Sequence, residues 1–76
     1  MKRAAAKIIV LEALDFLDQD HTEIKDETSF EDLGLNSDDI DIMLSFITEK
    51  YGLDFSDSDY SEVVFVEDLI DLVVVT

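Results

Sequence analysis

The sequence predicts an all-α fold, a small four-helix bundle with a long loop between helices I and II and a short third helix, and three observations carry that expectation. Apolar residues recur at steps of three and four in separate segments, the period of a helix that packs on one face. The chain has no Pro and only two Gly, so little breaks those segments internally. Of its 76 residues 47% are hydrophobic, too much apolar surface in periodic order for a disordered chain.

Helix I is expected over roughly residues 3 to 18. Ala6, Val10, Ala13 and Leu17 form its inner stripe, with Ile9, Leu14 and Phe16 flanking it and Glu12, Asp15 and Asp18 opposite. Ile8 and Leu11 fall off the stripe, to be partly exposed or covered by the next loop. From Gln19 to Asn36 polar residues interrupt any period, and Ile24, Phe30, Leu33 and Leu35 stand as isolated anchors. A connection this long within a small domain is usually functional. Thr28 and Glu31 have capping-box spacing, which predicts one helical turn around Phe30 to Leu33.

Gly34 supplies a bend, after which Asn36 or Ser37 caps helix II, roughly 37 to 51, with Ile40, Met43, Leu44, Ile47 and Tyr51 on its core face. Gly52 ends it. Ile42 and Phe46 lie off that face, to meet either a neighbouring loop or a partner. Ser56 is placed to cap a short helix near Asp57 to Val63, and a last helix starts at about Val66 with Leu69, Ile70 and Val73 inward. Strand is the rival for Glu62 to Val66 and Leu72 to Thr76, which are rich in β-branched residues. Without a clearly alternating third segment to complete a sheet, helix is preferred.

Length and composition narrow the function. Residues 1–76 are expected to form one domain with a thin core and no deep interior for an enclosed active site. The absence of Cys excludes disulfides, thiolate metal sites and a Cys nucleophile. The longest apolar runs are four residues, far short of a membrane span, and the expectation is a soluble, cytoplasmic monomer. Lys2, Arg3 and Lys7 open the chain, so residues 8 to 76 hold all 20 acidic residues against Lys25 and Lys50, a formal charge of −18. Such a surface repels nucleic acid and anionic lipid, and attracts proteins that present Lys and Arg.

Nothing in this composition points to an enzyme. The one His, His21, lies in a polar loop beside Asp20 with no nucleophile and base arranged around it. Asp57, Asp59 and Ser61 mimic odd-position ligands of a calcium loop, but Glu62 stands where such a loop needs Gly, so no metal site is expected. Asp38 and Asp39 are neighbours that diverge on a helix, better suited to its N-terminal dipole than to acid–base work. Ser37 differs by position: a phosphate ester at the start of a long helix, near unpaired backbone N–H groups, is electrostatically favoured. Position alone favours a simple N-cap, Ser37 or Asn36, and periodicity does not decide between the readings.

The segment F-E-D-L-G-L-N-S-D-D-I, Phe30 to Ile40, resembles the acyl carrier protein family, whose signature is a Gly, two residues, then the Ser that receives 4′-phosphopantetheine. The likeness extends to Lys7–Ile9, to Thr28–Gly34, along helix II to Tyr51, to Phe55–Val63 and to V-E-D-L-I-D at Val66–Asp71, with no gap between Phe30 and Asp71. The resemblance implies a phosphodiester-linked 4′-phosphopantetheine arm on Ser37, made by a phosphopantetheinyl transferase. The arm's thiol would carry an acyl or aminoacyl group as a thioester. Partners would be loading and biosynthetic enzymes with basic patches, in fatty-acid, polyketide or nonribosomal-peptide synthesis, met by Asp38, Asp39, Asp41 and Glu49. An apolar groove between helices would shelter the acyl chain.

The chain departs from the family at Asn36, where Asp is usual, and at Asp38, where Leu, Met or Ile is usual. Asp41 stands at an often apolar contact position, Ile42 and Phe46 where polar or small residues are commoner, and Phe65 where Ser or Thr often caps the last helix. These exchanges imply a specialised carrier with its own partners, or a relative that has lost the modification. The competing class is an unmodified acidic helical module that binds a basic protein.

Overall fold

Three helices surround one apolar core among the residues that the computed structural model describes, 1–17, 24–55 and 61–76. They are α1 (Arg3–Phe16), α2 (Ser37–Tyr51) and α3 (Val66–Val75). The all-α expectation holds; the short helix expected near 57 to 63, the Ser56 cap, His21 and the Asp57–Asp59 pair lie wholly or mostly outside the described residues. None of the described helices is long and apolar enough to cross a membrane.

α1 is the central element, packed against both α2 and α3. Its buried stripe is Ala6, Ile9, Val10, Ala13 and Leu14, and the two alanines let the neighbouring helices approach closely. α2 contributes Ile40, Met43, Leu44 and Ile47, and α3 contributes Val66, Leu69, Ile70 and Val73. Every buried residue described is apolar. Two inner-face expectations are corrected: Phe16 is 58% exposed, and Tyr51 points its hydroxyl at Glu12 rather than into the core. A buried phenol needs a hydrogen-bond partner, and the apolar core has none to offer.

α1 begins with Lys2, Arg3 and Lys7, the wrong charge for a helix N-terminus. Those charges are used elsewhere. Arg3 pairs with Asp71 on α3 and, at 3.8 Å, with Asp26 of the loop. Lys7 reaches Asp26 at 3.0 Å, and the N-terminal amine donates to the Val74 carbonyl at 3.1 Å. The hydrogen bond from Arg3 to Asp71 raises the guanidinium pKa still further, so Arg3 keeps its charge. α1 and α3 are thus fastened antiparallel at their ends.

The loop before α2 is built on Phe30, which is 2% exposed. Leu35 N–H donates to the Phe30 carbonyl and Gly34 N–H to that of Glu31, the paired bonds of a Schellman motif, with Gly34 at φ 75° in the left-handed position. A residue with a Cβ adopts that conformation at a cost, which is why Gly stands there. The expected turn exists, but its cap is Ser29, whose Oγ accepts from Asp32 N–H at 3.1 Å; Thr28 Oγ1 instead accepts from Lys25 N–H. The loop then pairs with the entry to α3: Phe30 N–H donates to Val64, Val66 N–H to Thr28 and Glu67 N–H to Asp26, around one antiparallel bridge between Ser29 and Phe65. The β-branched run 62–66 therefore makes a local bridge and then turns helical. Phe65 has no side chain to cap α3, so Asp68 reaches back and accepts from Phe65 and Val64 N–H at 2.9 and 3.1 Å.

Candidate functional site

The Schellman turn delivers the chain to the start of α2 with Asn36 as its N-cap. Asn36 Oδ1 accepts from Asp39 N–H at 3.0 Å, and Asp39 Oδ2 accepts from Asn36 N–H at 3.1 Å, a reciprocal capping box with Asp in the place more often held by Glu. The choice left open by the sequence is thereby made. Asn36 caps, and the Ser37 hydroxyl, exposed at the first helical position, stays outside the box.

An open groove of about 740 Å³ runs beside Ser37. Phe30, Leu35, Ile40, Val63 and Val64 supply its apolar surface, while Glu31 and Asp41 add charge at its border. The wall formed by Ser61, Val63 and Val64 escaped sequence reasoning, because it arrives through the hydrogen bond between Phe30 and Val64 across more than thirty residues. A long flexible arm anchored at Ser37 would find apolar cover within reach, so the residues present fit a pantetheine group and a modest acyl chain. Among the described residues no group of three or more His, Cys, Asp or Glu side chains is placed to hold a metal ion.

The four expected partner residues separate into two kinds. Asp38, Asp41 and Glu49 are exposed on the outer side of α2, whereas Asp39 is half-buried and committed to the capping box. Asp38 and Asp39 also complement the positive end of the α2 dipole, as Lys50 does its last turn. At that last turn Lys50 Nζ donates to Glu12 Oε2 at 2.6 Å and the Tyr51 hydroxyl donates to the same oxygen at 2.8 Å. The Lys50 bond first, then the Tyr51 bond, holds the Glu12 carboxyl below its ordinary pKa, and the bond to Glu12 raises both donors.

No protein-family model matches the sequence, and no curated protein does. Among solved structures, the crystal structure of an acyl carrier protein from Thermotoga maritima matches with a TM-score of 0.81 at 28% sequence identity, covering 97% of this chain and 88% of that one. The fold is that of an acyl carrier protein. The neighbour is a carrier rather than an enzyme, and the acyl carrier resemblance of Phe30 to Ile40 falls on the turn, cap and first helical turn just described.

Proposed function

We propose that this protein is a carrier that holds an acyl or aminoacyl group as a thioester on a 4′-phosphopantetheine arm attached to Ser37 Oγ and delivers it to biosynthetic enzymes in the cytoplasm. The observation that carries the proposal is the division of labour at the start of α2: Asn36 makes the cap, leaving an exposed Ser37 hydroxyl beside an apolar groove. The acyl carrier fold supports it. In this reading residues 1–76 are one carrier domain, a small four-helix bundle.

When bound, the arm supplies the thiol on which cargo rides. The chain's own residues do the rest. Asn36 and Asp39 hold the first turn of α2 rigid, so that Ser37 is presented at a fixed place. Asp38, Asp41 and Glu49 offer carboxylates to Lys and Arg on a phosphopantetheinyl transferase and on the loading and biosynthetic enzymes, which speeds encounter and selects basic surfaces. Asp39 contributes by position rather than by contact. Phe30, Leu35, Ile40 and Val63 shield part of the arm and cargo from water.

Intact mass after incubation with coenzyme A and a broad-specificity transferase tests the proposal. A gain of one phosphopantetheine that disappears in Ser37→Ala is the expected result. No gain with any transferase would favour the unmodified acidic module instead.

A further inference from the structure

On the seam between α1 and α2, away from Ser37, Phe16 and Phe46 stack with ring centroids 4.9 Å apart and planes inclined by 30°. The pair is unfinished as a core. Phe16 is 58% exposed, Phe46 is only half-buried, and Ile42, one turn before Phe46 on α2, is 42% exposed. A shallow groove of about 260 Å³ beside the rings is bordered by Glu12, Asp15 and Lys50. Lys50 Nζ lies 5.7 Å from the Phe46 ring centroid, but its charge is matched by Glu12, so Asp15 on α1 and Glu49 on α2 leave the rim negative.

We infer that the Ile42–Phe46–Phe16 patch is a docking surface for a basic protein segment, one that lays an apolar side chain on the rings while its Lys and Arg groups meet Asp15 and Glu49. Charge decides among occupants. A second copy of this chain would bring another formal −15 to a negative rim, and an anionic lipid surface would be repelled in the same way. A basic segment is attracted, and its Arg groups suit the carboxylates, which they bind through their fork. Two exposed aromatic and aliphatic anchors ringed by carboxylates match the usual division between an apolar interface centre and a polar rim. The inference needs no modification of Ser37 and stands for a carrier or an unmodified module alike.

The test is titration of the full chain with two fluorescent synthetic helical peptides, one with Leu and Arg on one face and one with Ser in place of Leu. The Leu–Arg peptide should bind, with amide shift changes centred on Phe16, Ile42 and Phe46. Phe16→Ser should weaken it about tenfold, the loss of one interface anchor. Ile42→Ser should weaken it by less, and Ser37→Ala should leave it unchanged. Phe16→Ser also loses the stack on Phe46, so its melting temperature is measured alongside, and Ile42→Ser, outside the stack, gives an independent reading. Equal binding of both peptides, no binding of either, or full affinity in both Phe16→Ser and Ile42→Ser would overturn the inference.

Discussion

At its last turn α2 is fastened to α1 by Lys50 and Tyr51 on Glu12 and by the stacked Phe16 and Phe46, whereas its first turn is held by its own residues, Asn36 and Asp39, and by the turn behind it. Three of the five basic side chains sit at the fastened places: Arg3 and Lys7 join α1 to the loop and α3, and Lys50 joins α2 to α1. Among the described residues Asp38 and Asp41 have no ion pair. With no ion pair among the described residues reaching its first-turn carboxylates, the start of α2 concentrates negative potential around Ser37. One end of the helix spends its polar side chains on α1; at the other, beyond the capping box, Asp38 and Asp41 stay exposed.

The comparison breaks most severely at the residue on which the Ser37 end rests. Phe30→Ala removes a fully buried ring from beneath the loop and the groove, and should cost about 3–5 kcal/mol in chemical denaturation. For a small domain that is a large share of a total of about 5–15 kcal/mol. Next in size, Asn36→Ala deletes half of the capping box and should cost about 1 kcal/mol. A fall in melting temperature of about 4–8 °C would be its signature. Its near neighbour Ser37→Ala should leave the melt unchanged, because Ser37 takes no part in the cap.

At the fastened end the effect is smaller and depends on pH. The folded-state pKa of Glu12 is depressed by Lys50 and Tyr51, so its contribution is present above the ordinary Glu range of about 4 and is lost as pH falls through the folded value. Glu12→Gln should therefore melt below wild type at neutral pH and converge with it in acid. Curves that stay parallel down to acid pH would show that the charge of Glu12 is not what fastens this end.

The helices were legible because their period and punctuation are local. The expected bounds of α2, 37 to 51, are those observed, since Asn36 and Gly52 mark both ends within a few residues. Helix I, expected over roughly 3 to 18, runs from Arg3 to Phe16, where no capping residue marks either end, and the last helix starts at Val66 as its apolar period predicts. Interactions distant in sequence were not legible. The bridge from Ser29 to Phe65, the retreat of Tyr51 to Glu12 and the stacking of Phe16 on Phe46 each depend on which helix becomes whose neighbour. Ser29 rather than Thr28 as the turn cap is a shift of one residue that spacing does not resolve. At the candidate site Ser37 and the carboxylates are proposals that the sequence already raised, but the allotment of the cap to Asn36 and the Val63–Val64 wall of the groove needed three dimensions.

Salt should produce the smallest and broadest effect, with opposite signs at the two ends. Screening relieves repulsion among carboxylates such as Asp38 and Asp41, and weakens the attraction between Lys50 and Glu12. With 20 acidic groups against 5 basic ones the first term should win, and the melting temperature should rise with NaCl at neutral pH. The rise should shrink when Asp38 and Asp41 are changed to Asn. A flat or falling melting temperature would mean that the acidic groups are too widely spaced to matter.

Tandem mass spectrometry of peptides from the transferase-treated protein tests most directly whether the start of α2 carries the arm. The expected result is a phosphopantetheine on the peptide spanning Gly34 to Asp41, with fragment ions placing it on Ser37 and leaving Ser29 and Ser45 unmodified. An unmodified Ser37 peptide alongside an arm on any other residue would contradict the assignment.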